Sequence, residues 1–156
     1  MKNRAAFLCV RLCAAALAAL MAHCVMAQAV VAQASALIVQ EAWTRSVPGS
    51  DVAAVYLTLR NPTTRPISIV SVESSLAGHA MIHETQTESG QSRMRPHETL
   101  IVPPGQTVKL EPGGLHVMLH GLTQKVVVGQ SVPLVLVLAD GAKVQVAAPV
   151  RPLSAQ

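Results

Sequence analysis

Apolar and polar residues alternate in short runs along most of the chain. In 52–61, Val55, Leu57 and Leu59 occupy every second position, the spacing that places side chains on one face of a β-strand. No helical periodicity is visible after residue 37. The pattern therefore predicts an all-β fold, an antiparallel sandwich or barrel, with a two-layer β-sandwich as the preferred architecture. Strands separated by Gly- and Pro-containing turns are predicted at 37–43, 52–61, 67–74, 79–87, 98–102, 107–112, 113–121, 132–140 and 144–150, with a short hairpin around 88–91.

The run at 67–74 is less regular than the others. Ile67 and Ile69 alternate with Val70 and Val72, so both faces of the predicted strand are partly apolar. Strict alternation therefore does not decide which of these side chains face the core.

The N-terminal residues have the pattern of an export signal. Three Lys or Arg residues precede an eleven-residue apolar run at 12–22, and small-residue cleavage patterns follow between 27 and 36. The apolar run is too short to cross a bilayer, which takes about 20 residues. We therefore predict a cleaved signal peptide at 1–34, with the cut between about 27 and 36, and a single exported domain at 35–156.

All three cysteines of the chain lie in this predicted leader, at Cys9, Cys13 and Cys24. The mature domain would then contain neither a disulfide nor a thiolate ligand. A lipid anchor on Cys24 is the alternative to simple cleavage. The bulky His23 in front of Cys24 argues against it, because lipid-attachment motifs favour a small residue at that position.

Removing the leader also changes the charge. The whole chain has a formal charge of +4, and without Lys2, Arg4 and Arg11 the nine remaining basic residues face eight acidic ones, leaving about +1. Trp43 and Tyr56 are then the only aromatic residues. The mature chain therefore has neither the positive charge nor the aromatic residues that a nucleic-acid-binding surface uses. No second apolar segment is long enough to span a membrane, and Trp43 is expected to anchor the core.

Potential metal donors are concentrated in one part of the predicted domain. Imidazole and thioether groups together suit Cu(I), whereas thioethers bind Zn²⁺ and hard ions weakly. A blue-copper centre needs a Cys thiolate, and the sequence has no H-E-x-x-H zinc motif, so both alternatives are disfavoured. All five histidines and all three methionines of the mature chain fall within 42 positions: His79, Met81, His83, Met94, His97, His116, Met118 and His120.

The run 113–121 places His116, Met118 and His120 at alternate positions. His116 and Met118 would leave the same face of a strand and could bind one ion. Each donor alone also has a simpler interpretation, since His83 could be a surface residue and Met94 could cover a hairpin. Surface or supporting roles, rather than auxiliary ligation, are favoured for the remaining four: His79, Met81, His97 and His120.

The spacing of four donors resembles a known signature. Ten residues separate His83 from Met94, twenty-one separate Met94 from His116, and one separates His116 from Met118. This spacing resembles the H-x10-M-x21-H-x-M signature of the PCuAC family of periplasmic copper chaperones. The resemblance extends over roughly 38–148, and the flanking sequence in 42–62, 102–122 and 132–141 agrees with it.

The resemblance implies a cupredoxin-like β-sandwich with an accessible Cu(I) bound by His83, Met94, His116 and Met118. It also implies a periplasmic chaperone that delivers copper towards the CuA site of cytochrome c oxidase, with Sco-type proteins as further partners. The sequence contains no identifiable catalytic triad, paired carboxylates or phosphate loop, so an enzyme is not expected. The protein is expected to be a monomer. A second copper site in a Met- and His-rich tail is not expected, because 146–156 contains neither residue.

Two other functions remain open from the sequence. A copper-buffering or copper-resistance protein would bind the ion in the same way but would have no dedicated recipient. A metal-free β-sandwich that binds a protein or envelope partner would not bind Cu(I), and replacing His83 or Met118 would not affect its function.

Overall fold

Ten β-strands make up the regular structure of residues 36–47, 49–88 and 90–152, the part of the chain that the computed structural model describes. The predicted signal peptide, 1–34, lies outside these residues. Within them, no helix is long and apolar enough to cross a membrane. The strands are β1 (Ile38–Ser46), β2 (Val52–Arg60), β3 (Ile67–Glu73), β4 (Ala77–Glu88), β5 (Gln91–Pro96), β6 (Leu100–Val102), β7 (Thr107–Leu110), β8 (Leu115–Leu122), β9 (Ser131–Leu138) and β10 (Lys143–Arg151).

Hydrogen bonding joins the strands in the order β5-β4-β8-β2-β1-β10-β9-β3-β6, and β7 pairs with β2 beside this path. The strand pairs are antiparallel except β1 and β10, which run parallel with Thr44 opposite Val150. This parallel contact joins the two layers of the sandwich. The all-β prediction is confirmed, and the structure adds one parallel pair to the predicted antiparallel arrangement.

The inner faces of the two layers meet in one hydrophobic core. Val55, Leu57 and Leu59 of β2 are at most 2% exposed, as their alternation predicts. Leu134 and Leu136 of β9 face them from the other layer and are 1% exposed. Burying each such side chain contributes about 1.5–3 kcal/mol to folding.

A β-bulge explains the irregular run in β3. The pairing of β3 with β9 shifts between Ile69 and Ser71, so one extra residue reverses the alternation at that point. Ile69 and Val72 are therefore both buried, although they are three residues apart, and Val70 is exposed. Both faces of the run are partly apolar because the inward face changes within the strand.

A second bulge corrects the prediction for Trp43. The pairing of β1 with β2 shifts between Gln40 and Trp43, next to Glu41 at a φ of 53°. The extra residue turns Trp43 to the outer face, where its ring centroid lies 4.6 Å from that of Tyr56. Thr44 takes the inward position, fully buried, and its Oγ1 donates a hydrogen bond to the carbonyl of Ala148 at 3.0 Å.

Candidate metal centre

Six potential metal donors face one another in pairs across β4 and β8. The antiparallel register places His83 opposite His116, Met81 opposite Met118, and His79 opposite His120. Directly opposed residues of an antiparallel pair share one face of the sheet, with Cβ atoms about 4.5–5.5 Å apart. We call these six residues the donor ladder.

The donor ladder lies on the outer face of its layer because the other face of the same strands is in the core. Ile82 alternates with the donors of β4 and is 5% exposed. Val117 and Leu119 alternate with those of β8 and are fully buried. The two-residue period of a strand then directs the intervening His and Met side chains away from the core.

Met94, the remaining residue of the predicted ligand set, comes from the neighbouring strand β5. It is opposite Thr85 of β4, two residues along from His83, so Met94 and His83 share a face of the sheet. Its side chain is 58% exposed. The structure thus brings His83, His116 and Met118 together within the donor ladder and places Met94 at its solvent-exposed side.

The hydrogen bonding of His116 leaves one ring nitrogen available to a metal. Its Nδ1 lies 3.0 Å from the carbonyl oxygen of Gly114. Because a carbonyl only accepts hydrogen bonds, Nδ1 carries the proton and donates it, and Nε2 of the neutral ring retains a lone pair. Histidines that bind metals commonly donate their other N–H to a backbone carbonyl in this way. The ring is 4% exposed, and its centroid lies 6.3 Å from that of Tyr56.

The environment of His83 also suits a neutral ring that can bind a metal ion. Its Nε2 lies 2.6 Å from the sulfur of Met81, and its buried Nδ1 has no hydrogen-bond partner among the described residues. A thioether sulfur can accept a hydrogen bond but cannot donate one. Nε2–H therefore donates to it, and Nδ1 of the neutral ring carries an unused lone pair. A buried polar atom without a partner is costly, and a bound ion would remove that cost.

Burial lowers the pKa of His83 below its usual value of 6.5, and the nearby His116, His120 and His79 lower it further. Both effects disfavour the charged ring, because desolvation and positive neighbours each destabilise an added positive charge. His83 is thereby kept in the neutral form that metal binding requires.

Three donors that sequence reasoning placed on the surface or in supporting roles belong to the donor ladder. His79 is exposed, whereas Met81 and His120 are half-buried, and the ring centroid of His120 lies 6.1 Å from that of His83. The signal was present in the spacing, since residues 79, 81 and 83 alternate as 116, 118 and 120 do.

His97 lies outside the donor ladder, in the connection after β5. Its backbone N–H donates to the carbonyl of Ile82 at 2.8 Å. It borders a cavity of about 180 Å³, whose lining also includes His79 and Met81. Across the described ranges, no group of three or more His, Cys, Asp or Glu side chains could hold a metal ion.

Comparison with known proteins identifies the family. The family described as "Putative lipoprotein LpqE-like" has a model that matches residues 37–150. The chain belongs to this LpqE-like family. It is also 33% identical over 123 residues to "Putative lipoprotein Lxx21020" of Leifsonia xyli subsp. xyli, an alignment that covers 78% of this chain and 74% of the relative.

Solved structures place the LpqE-like chain among PCuAC domains, as its sequence resemblance predicts. Cu(I)-bound DR1885 from Deinococcus radiodurans is 36% identical, with a TM-score of 0.60, and the match covers 82% of this chain and 87% of that one. Its apo form is 35% identical, with the same TM-score and coverages of 79% and 83%. The copper-bound PCuAC domain from PmoF2 is 23% identical, with a TM-score of 0.63 and coverages of 75% and 93%, and supports the fold alone. The predicted family and the cupredoxin-like fold are confirmed.

Proposed function

We propose that the protein is a copper chaperone that binds one Cu(I) ion through His83, Met94, His116 and Met118 and releases it by ligand exchange. The observation that carries this proposal is the cross-strand register of β4 and β8, which places His83 opposite His116 with Met118 two residues further along the same face. The Cu(I)-bound state of the similar DR1885 supports the choice of metal.

The chemistry of the four donors favours Cu(I). Two imidazoles and two thioethers form a soft, uncharged set, with no anionic ligand to stabilise Cu(II). The hydrogen bond from His116 Nδ1 to Gly114 and the lowered pKa of His83 keep both rings in metal-binding states. The mostly exposed Met94 gives an incoming partner a place to begin replacing ligands.

The proposed destination of the copper is the CuA site of cytochrome c oxidase, with Sco-type proteins as further partners. This part of the proposal rests on the resemblance to PCuAC chaperones. Export to the periplasm by a cleaved signal peptide is consistent with it, and the lipoprotein description of the family supports a location in the cell envelope. The protein acts as a monomeric carrier in this scheme.

An anaerobic Cu(I) titration against a chromophoric chelator tests the binding site. The exported protein should bind one tight equivalent, and His83→Ala, Met94→Ala, His116→Ala and Met118→Ala should each weaken it. His97→Ala is the matched control, because His97 lies outside the donor ladder and should leave the tight equivalent unchanged. Tight binding that survives all four ligand changes would refute the assignment.

A transfer assay tests the chaperone role separately. The Cu(I)-loaded protein is mixed with an apo CuA domain, and the copper content of each protein is measured after separation. Movement of copper to the CuA domain faster than its release to buffer supports a chaperone. Copper that is bound tightly but stays on the protein indicates the buffering function instead.

A further inference from the structure

We propose that His79, Met81 and His120 form a second, weaker Cu(I) position at the end of the donor ladder where His79 is opposite His120, which we call the outer position. The proposal rests on the proposed function, because the inner position is the one formed by His83, His116 and Met118 with Met94. The two positions would be neighbours on one sheet face and would use different side chains.

The geometry of the outer donors repeats that of the inner ones. His79 is opposite His120, just as His83 is opposite His116, and Met81 lies between the two histidines of β4. No side-chain hydrogen bond of His79 or His120 occurs among the described residues, whereas the sulfur of Met81 contacts Nε2 of His83, so Met81 lies between the two positions. Two imidazoles and a thioether again make a soft, uncharged set suited to Cu(I).

The next ladder pair and strand β2 add no donor to this position. The next pair along the two strands is Ala77 opposite Leu122, and neither side chain can bind a metal. On the neighbouring strand β2, Val52 is opposite His120 and Ala54 is opposite Met118. Apolar side chains thus border the His79–His120 pair along β4, β8 and β2.

The middle of the donor ladder connects the two positions. Successive pairs on one face are about 7 Å apart, because a strand advances about 3.3 Å per residue. The ring of His83 lies at similar distances from both partners, with centroids 5.9 Å from His116 and 6.1 Å from His120. An ion at the His79–His120 pair, of which His79 is exposed, is therefore one or two short ligand exchanges away from the inner position.

The outer position should be the weaker one. It has three donors rather than four, and the exposed His79 loses side-chain freedom when it binds. An ion already bound at the inner position also repels a second cation. We therefore expect the second equivalent to bind roughly tenfold or more weakly than the first.

The test is an anaerobic titration of the exported protein with Cu(I) up to three equivalents, against a chromophoric chelator. The unaltered protein should bind two equivalents of different affinity. The double variant His79→Ala/His120→Ala should bind one, with the affinity of the first unchanged. Met81→Leu should weaken the second at least about tenfold, and should weaken the first less, because the sulfur of Met81 also contacts Nε2 of His83. Unchanged thermal unfolding of each apo variant shows that the fold is retained.

Other outcomes overturn the proposal and separate it from the inner site. Saturation of the unaltered protein at one equivalent refutes the outer position, as does a double variant that still binds two. Loss of the second equivalent in His97→Ala alone would move it to the cavity beside His97. If His83→Ala and His116→Ala leave the first equivalent intact while the double variant loses the second, the proposed inner site fails and the outer one stands.

Discussion

Replacing Met118 with leucine separates the role of its sulfur from the role of its volume. Met118 is half-buried in β8 between the fully buried Val117 and Leu119. Leucine fills nearly the same space, so the free energy of unfolding of the apo protein should fall by less than about 1.5 kcal/mol. The sulfur is lost completely, so copper binding should suffer far more than folding.

The expected loss of copper affinity in Met118→Leu follows from the position of Met118 beside His116. Removing a group that only orients a metal ligand costs about 10–100-fold in affinity. Removing the ligand itself should cost at least the upper end of that range, about 100-fold or 2.7 kcal/mol. Cu(I) competition titration gives the affinity of the first equivalent, and urea unfolding gives the stability of the same sample.

A matched comparison tests whether the sulfur of Met118 binds the ion. Met81→Leu makes the same chemical change directly across the sheet, and it should affect the first equivalent much less than Met118→Leu does. Ile101→Leu, on the exposed side of β6, is the control substitution and should leave both copper affinity and stability unchanged. A less than threefold change in Met118→Leu would show that the sulfur of Met118 does not bind the ion, and a larger loss in Met81→Leu would assign that role to Met81.

Three further predictions concern the pH response, the core and the N-terminus. The pKa of His83 is below 6.5 in the folded state, so as the pH falls the unfolded chain binds a proton at this residue before the folded protein does. The free energy of unfolding of the apo protein should therefore be full above about pH 6.5 and decline below it. Urea unfolding at pH 7.5 and 5.5 should show a smaller decline in His83→Ala. An equal decline in both proteins contradicts this. Leu119→Ala should lower the free energy of unfolding by about 2–5 kcal/mol, because the side chain is fully buried beneath the donor ladder. A decrease of less than about 1 kcal/mol in urea unfolding would argue against the described core. Intact mass spectrometry of the exported protein should show a start just after a cut between 27 and 36, whereas a lipid-modified Cys24 at the N-terminus would contradict the signal-peptide prediction.

Local alternation was enough to predict most strands and the fold class. The Val55, Leu57 and Leu59 face of β2 is buried as its spacing requires. The two bulges were not predictable in this way, because an extra residue in β1 or β3 leaves no periodic signal and is fixed by pairing with a distant strand. That is why Trp43, on the inward side of a regular strand, instead packs on Tyr56 at the outer face.

The donor set was predictable as residue types and only in part as an arrangement. Alternation placed His116, Met118 and His120 on one face of a strand. The register of β4 against β8 depends on residues more than thirty positions apart, so the pairing of Met81 with Met118 and of His79 with His120 could not be derived from local pattern. The four-residue ligand set itself stays a prediction that the titrations above will test.

The place of Met94 in the sheet has a consequence for how copper could leave. β5 is the last strand of the sheet, pairs with β4 alone among the described strands, and has six residues that are all exposed. Separating β5 from β4 breaks one row of backbone hydrogen bonds, and no residue of β5 belongs to the hydrophobic core. Under the proposed ligand set, a recipient could peel β5 away and detach one thioether while His83, His116 and Met118 still hold the ion. Unloading would then be a local event at a sheet margin, and the sandwich would remain folded throughout.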